Sequence, residues 1–529
     1  MARLGGESGL HRPDKWPGEG PRHALAVHYD PRTPVIVGAA QVTDRIDDPT
    51  AARTPLELMV DAVRSAAVDA GTTTVLRGLE LIAVVGGLWS YPDPGRQIAQ
   101  RISAPRTATL LTEFSGHIPQ ALINHIAGRI QAGDLSTAVV CGGEANRAAR
   151  RARRTATERR RDLDPSLPPA ERFGPPLVMT DDAEAERGVL APAFVYPVID
   201  SAIRHDRGET IEEHRDRISA LWAGLSVVAS QNPHAARQEA LTATEIKEPT
   251  DGNRMVGFPY TLAMNANNNV DQASAVIVCS AERARELGVP IDQWIFIHAG
   301  ALSTDTSRLT NRHELHRSPG IRYAGRRCLE LAHTSVDDLA HVDLYSCFPS
   351  SVQVSASELG LDTDRPLTVT GGLTFAGAPI NNYSGQALAA MVHRLRDEPG
   401  RGLIHANGGY VTSHAMAVYG NEPPPAGQCR SDHPQKSVDA EPTRAADHQY
   451  VGSATVEAYS VIHYRAGSPE WALVALRTPD DARTWGRTTD PDLLSAMMVS
   501  EHAGQPVELA PDGTVYVCCL LYTSDAADE

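Results

Sequence analysis

Four side chains are of types that do chemistry, and the three histidines among them stand near glycine turns. His117 follows Ser115-Gly116, Cys347 lies in Tyr345-Ser346-Cys347-Phe348, and His405 and His414 flank Asn407-Gly408-Gly409. An imidazole moves protons near neutral pH, and a thiolate attacks carbonyl carbon. Each residue also has a plainer reading: the cysteine as a small buried apolar group, the histidines as hydrogen-bonded scaffold. A polar loop, Asn265 to Gln272, holds four asparagines and Asp271. Such loops tie down their own backbone or offer amides to a ligand. Eight arginines lie between Arg147 and Arg161. They make either a solvated helix face or a basic surface for an anionic ligand such as a phosphorylated nucleotide tail. No aromatic is interleaved among them for base stacking. The seven cysteines form no CxxC pair and no Cys/His cluster, which excludes a zinc site and suits reduced cytosolic thiols.

The elements that must position these groups centre on Leu110–Glu144. After the polar turn Thr112 to Gly116, Ile118, Leu122, Ile123, Ile126 and Ile130 recur at three- and four-residue steps, one apolar helix face. Pro119 suits the first helical turn and Gly133 ends the helix. Thr137–Cys141 then reads as a buried strand closed by Gly142-Gly143. The unit recurs at 382–410, with Ser384-Gly385, then Gln386, then Gly408-Gly409. Gln120 to Gly142 and Gln386 to Gly408 both span 22 residues. Equal spacing points to duplication.

The rest of the chain alternates strands and helices in the manner of parallel sheet packed by helices: a strand from Thr33, a helix from Pro55, and a strand at Leu81–Val85. A helical insertion at about 145–250 interrupts the alternation. At 529 residues and 42% apolar content the chain buries a large core in more than one domain. The net charge of −16 argues against general attraction to nucleic acid or anionic membrane, and no apolar run is long enough for a membrane span. Expected boundaries are a disordered or non-native extension at 1–32, a first half at 33–281, a second half at 282–425, a linker at 426–449, and a small β-rich, OB-like domain at 450–518, truncated at its end. Residues 519–529 read as a non-native tail resembling a translated sequencing adapter.

The duplicated unit, with Gly371–Gly377, Asn382-Tyr383-Ser384, Asn407-Gly408-Gly409-Tyr410 and Glu422-Pro423-Pro424, resembles the thiolase superfamily. It is most similar to the type-1 thiolase-like proteins with an additional C-terminal domain. The resemblance implies a five-layer αβαβα fold from two duplicated halves, acyl-CoA or CoA as ligand, no other cofactor and no metal, a monomer or homodimer, a cytoplasmic setting and a place in lipid metabolism. It also implies a cysteine nucleophile at a helix N-terminus, where dipole and free N–H groups favour the thiolate. That position falls on Gly116. The family's histidine falls on Ala378, its second cysteine on Ala406, and its oxyanion-hole asparagine or histidine on Tyr345.

The expected function is therefore an acyl-CoA-binding protein of the acetyl-CoA acetyltransferase type with little or no thiolase activity. Two alternatives stand beside it. Some superfamily members act as steroid side-chain aldolases through tyrosines, so Tyr345, partnered by Tyr383, could serve a retro-aldol cleavage of an acyl-CoA. The chain could also be a non-catalytic partner subunit. His117, Cys347, His405 and His414 remain candidate chemical groups. Asn265, Asn269, Gly377, Asn407, Gly408 and Gly409 are the expected substrate-binding positions.

Overall fold

The computed structural model describes residues 29–517. The expectations for residues 1–28 and for the tail after Val517 fall outside the described residues. The extension does not run to residue 32, however. The Tyr29 ring meets Trp294 and Phe296 edge-on, and the Asp30 N–H donates to the Gly427 carbonyl at 3.2 Å, so residues 29–32 belong to the fold.

The first half runs β1 (Pro34–Thr43), α1 (Pro55–Asp69), β2 (Leu81–Val84), α2 (Pro94–Arg101), β3 (Ala108–Thr112), α3 (Ile118–Ala132) and β4 (Thr137–Ala145). The insertion follows: α4 (Asn146–Thr155), β5 (Glu171–Phe173), α5 (Asp182–Glu186), α6 (Pro192–Arg207), α7 (Ile211–Gln231), α8 (Ala243–Lys247), β6 (Met255–Gly257) and β7 (Tyr260–Thr261). Then β8 (Asp271–Ser280) and α9 (Ala281–Glu286) close the half. The second half comprises β9 (Ile295–Thr304), α10 (Pro319–Leu331), β10 (Leu339–Leu344), α11 (Pro349–Leu359), α12 (Gly372–Phe375), α13 (Tyr383–Asp397), β11 (Arg401–Gly408) and β12 (Ser413–Gly420). Last come β13 (Arg430–Asp432), α14 (Gln435–Asp439), β14 (Gly452–His463), β15 (Pro469–Arg477), β16 (Arg483–Thr488), α15 (Pro491–Met497), β17 (Pro506–Leu509) and β18 (Val515–Val517).

Local chemistry accounts for the helices that matter most. Thr54 and Glu57 form a capping box at α1, Pro55 sits in its first turn, and Leu56, Met59, Val60 and Val63 are buried. In α3, Pro119 lies in the first turn and Gly133 closes the helix at φ +87°. The strand β4 does not end at the glycines; it runs on to Ala145. Gly142 is there for close approach, since a Cβ would lie 2.5 Å from Asn382 Oδ1.

In the main sheet, β2-β4-β8-β1 and β10-β11-β12-β9 repeat one pattern: a parallel pair followed by two antiparallel pairs. The halves meet where Val35 and Ile36 of β1 pair with Phe296 and Ile295 of β9. Leu122, Ile123, Ile126 and Ile130 of α3 share one core with Leu388, Met391, Val392 and Leu395 of α13 and with residues from both halves of the sheet. The two helices of the repeated unit are therefore the central layer. Helices α1 and α2 cover the outer face of the first half, and α10 and α11 that of the second, giving the αβαβα order.

The insertion is not wholly helical: β5 extends the main sheet parallel to β3, and the β6–β7 pair joins a second sheet through Gly257 and Ile462. That sheet, in order β16-β15-β14-β17-β18, forms the β-rich C-terminal region. Residues 426–449, expected as a linker, carry β13, which runs parallel to β9. All three β13 residues are exposed, so the strand has no apolar pattern to reveal it. No helix among the described residues is long and apolar enough to cross a membrane.

Candidate functional site

The start of α3 presents Ser115, Gly116 and His117. The Ser115 hydroxyl and His117 Nδ1 lie 2.8 Å apart, and no side chain caps the helix. Burial, helped by nearby His414, pushes the His117 pKa down to about 4, so the ring is neutral at pH 7. Gly116 has no room for a side chain: a Cβ would collide with the Tyr345 hydroxyl and the Asn407 carbonyl oxygen.

Tyr345 follows β10 in the turn to α11, where Ser351 Oγ donates to its carbonyl at 2.8 Å. Its ring meets Tyr383 edge-on at 5.4 Å. The two phenols do different things. Tyr383 donates to Asp343 Oδ1 at 3.1 Å and lies 2.9 Å from Thr370 Oγ1. Burial lifts Asp343 to about pKa 6 against the hydrogen bonds of Val369, Thr368 and Tyr383. The Tyr345 hydroxyl makes no hydrogen bond among the described residues and points over Gly116. Burial, and then the neighbouring Cys347, push its pKa upward.

On β11, His405 Nε2 lies 3.2 Å from His414 Nδ1, and His414 Nε2 lies 3.0 Å from Asp305 Oδ2. These histidines are a buried hydrogen-bonded chain ending on a carboxylate. Ala406 and Ala378 are fully buried methyl groups with no polar atom to offer. Asn407 donates through Nδ2 to the Tyr196 hydroxyl at 3.0 Å, and that hydroxyl donates to the Gly409 carbonyl at 2.8 Å. Tyr196 stacks on Phe348 at 4.5 Å and stands beside Cys347. Burial pushes the Cys347 thiol up to about 11, although Tyr196, Ser351 and the Phe348 N–H oppose it. Cys347 is thus a thiol, not a thiolate, at neutral pH. Gly408 leaves space for Ser115 and His117, and Gly409 takes φ +69°.

The Asn-rich loop lies apart from these groups but is tied to them. Asn267 N–H donates to Leu373 O at 3.0 Å, and Ala378 N–H to Asn267 O at 2.9 Å. Asn265 through Asn269 line a cleft of 580 Å³ with Arg150, Arg151, Arg154, Arg237 and Thr374. Arg151 pairs with Asp47 at 2.8 Å. Among the described residues, Arg150, Arg154 and Arg237 pair with no carboxylate. Asn265 itself is spent internally, donating to Thr261 O at 2.7 Å, and Asn269 N–H donates to Asn267 Oδ1. Gly377 takes φ +113° and a Cβ there would lie 2.5 Å from Gln272 Oε1.

The structure therefore brings Gly116, His117, Tyr345, Asn407 and Gly408 together, with Cys347 adjoining through Tyr196. It holds His405 and His414 in a hydrogen-bonded chain ending on Asp305, with His414 near enough to bear on His117, and commits Tyr383 to Asp343. Sequence reasoning missed Ser115, Tyr196, Asp305 and Arg237. Ser115 lies beside a flagged glycine and was within reach; Tyr196 and Arg237 stand in the insertion with no motif around them.

Comparison with known proteins accords with this architecture. The family model for the thiolase-like protein type 1 additional C-terminal domain matches residues 434–514. A monomeric SCP2-thiolase like protein type 1 from Mycobacterium smegmatis superposes with a TM-score of 0.79 at 28% identity, covering 93% of this chain and 100% of that one. The chain has the thiolase-like fold and carries the additional C-terminal domain of the type-1 thiolase-like proteins. An acetyl-CoA acetyltransferase of Methanothermobacter thermautotrophicus is 26% identical over 265 residues, which is 45% of this chain and 65% of that relative's length. The Ltp2-ChsH2(DUF35) aldolase shares the fold, with a TM-score of 0.56 at 17% identity, over 74% of this chain and 98% of that one.

Proposed function

We propose that this thiolase-like chain binds coenzyme A thioesters, as an acetyl-CoA acetyltransferase-like protein, and does not carry the acyl group on a cysteine. Thiolysis is then slight or absent. The observation that carries this reading is the space beside Gly116, which the Tyr345 hydroxyl and the Asn407 carbonyl occupy. A covalent acyl intermediate needs a nucleophile where the acyl carbonyl sits. Ala378 and Ala406 supply no acid or base, and such groups contribute about 10²–10⁴-fold each. The ligand end of the reading rests on the arginine–asparagine cleft. Three guanidinium groups with no carboxylate partner among the described residues, on a chain of net charge −16, suit the phosphates of the nucleotide portion, and the cleft floor joins the loop that holds Ala378.

A retro-aldol role for Tyr345 is the weaker reading. A general base must be deprotonated to act, and burial keeps this phenol protonated. A non-catalytic partner role, a cytoplasmic setting and a place in lipid metabolism are compatible with thioester binding.

The test is direct. CoA and acetyl-CoA should raise the melting temperature of the purified protein, and Arg154→Glu with Arg237→Glu should abolish that shift. CoA-dependent cleavage of acetoacetyl-CoA to acetyl-CoA should be undetectable. Absence of any CoA-induced shift would overturn the binding reading, and turnover near that of ordinary thiolases would overturn the rest.

A further inference from the structure

Arg312 stands in the connection between β9 and α10 and is only 5% exposed. Its guanidinium is partly used: Nε donates to the Thr306 carbonyl at 3.2 Å and Nη2 to Thr412 Oγ1 at 2.8 Å. Among the described residues Nη1 has no acceptor, and the group pairs with no carboxylate. A guanidinium stays charged at any physiological pH, so burial without a counter-charge is costly. Burial holds its pKa below the ordinary arginine value, although Asp305, Tyr196 and Glu184 oppose the shift. Asp305, in the same connection, is already committed. The Gly320 N–H donates to its Oδ1 at 2.8 Å, and Ser318 and His414 hold Oδ2.

Arg312 and Asp305 line a cavity of 80 Å³ together with Arg317, Arg322, Val438 and Glu441. That space holds a molecule of a few non-hydrogen atoms. The buried acids around it are spent on other cations. Glu441 takes Arg322 Nη2 at 2.8 Å and the Tyr323 hydroxyl at 2.7 Å, and Glu358 takes Arg317 Nε at 2.7 Å. Glu314 also borders the cavity, but it is exposed and forms no ion pair among the described residues. We infer that this cavity binds a small oxyanion, a carboxylate or inorganic phosphate, held by Arg312 Nη1. The planar N–H groups of a guanidinium match the oxygens of either. Val438 and Glu441 fall within residues 434–514, the additional C-terminal domain, so the site is complete only where that domain packs on the second half. It also adjoins the histidine chain, because Asp305 both lines the cavity and holds His414. The site shares no residue with the arginine–asparagine cleft, and its occupation does not depend on thioester binding.

Calorimetric titration of the full chain tests this, with sodium acetate in one arm and sodium phosphate in the other, ionic strength being held constant with sodium chloride. The wild type should bind at least one of them saturably, with a dissociation constant of about 10 mM or tighter. Saturation by acetate alone assigns a carboxylate ligand, by phosphate alone a phosphate, and by both a site that reads only the shared oxyanion. Arg312→Met keeps an apolar stem and removes the charge, and should weaken binding about tenfold or more. It also removes two internal hydrogen bonds, so Thr306→Phe serves as the second variant. That change leaves the Thr306 carbonyl to hold Arg312, fills the cavity, and should weaken binding about tenfold as well. No saturable binding of either anion would overturn the inference. So would wild-type affinity in Arg312→Met or in a folded Thr306→Phe, which would assign the anion to another surface such as the arginine–asparagine cleft.

Discussion

At the scale of single residues, glycine and a raised carboxyl carry the clearest expectations. Gly116 is closed in by the Tyr345 hydroxyl and the Asn407 carbonyl. Gly116→Ala should therefore lower stability by about 1–3 kcal/mol, as overpacking does, read from urea midpoints. Gly116→Cys should not restore thiolysis, because the added sulfur meets the same two oxygens. Glu144 lies at the end of β4 and accepts from Leu88 N–H at 2.7 Å. Burial raises its pKa from 4.5 to about 7, against the Leu88 hydrogen bond and Arg159. The folded chain then holds a proton there up to about pH 7, whereas the unfolded chain loses it near 4.5. Its contribution is fully present below pH 4.5 and is lost as pH rises through 7. Glu144→Gln keeps an acceptor for Leu88 and removes the titration. Between pH 4.5 and 7.5 the wild type should lose on the order of 2–3 kcal/mol more stability than the variant; identical pH profiles would contradict the buried-carboxyl account.

At the scale of elements, α3 shows how local signals suffice. Pro119 in the first turn, isoleucines at helical spacing and Gly133 at φ +87° all specify the same helix, and the structure contains it. Gly133→Ala places a Cβ in the left-handed region and should cost about 1–2 kcal/mol, measured by thermal or urea unfolding. Two of the strands that the sequence did not reveal, β13 and β16, lack an apolar pattern. In β13 every residue is exposed. In β16 the buried set includes Arg483 and Thr484, polar residues that no alternation rule assigns to a core. Arg483 is buried because Glu457 takes Nε and Nη2 at 2.6 Å each, and the Leu309 and Thr310 carbonyls take Nη1.

At the scale of the molecule, those same bonds tie the C-terminal sheet to the second half. Trp485 Nε1 donates to Thr310 Oγ1 at 2.9 Å, Arg204 of α6 donates to Glu501 and Tyr459, and Ile462 pairs with Gly257. The described chain should therefore unfold in one calorimetric transition. Arg483→Ala leaves Glu457 and several carbonyls unmet and should destabilise the whole by about 3–5 kcal/mol. Two well-separated transitions in the wild type would show that the sheets are independent.

The sequence by itself determined the duplicated helix–strand unit, the layered α/β class and the residue types at the centre. Those features rest on local pattern: periodicity, caps and equal spacing act within a few tens of residues. It also determined that no cysteine stands at Gly116. What only the tertiary structure decided is which groups meet. Tyr383, paired with Tyr345 in the sequence reading, is spent on Asp343 across 40 residues of chain. Asn407 donates to the Tyr196 hydroxyl, 211 residues earlier. Arg237 joins the asparagine loop because residues 236–237 hydrogen-bond to the carbonyls of 375–376. Contacts over such separations leave no periodic trace in the sequence. They are set by how the insertion packs over the duplicated core.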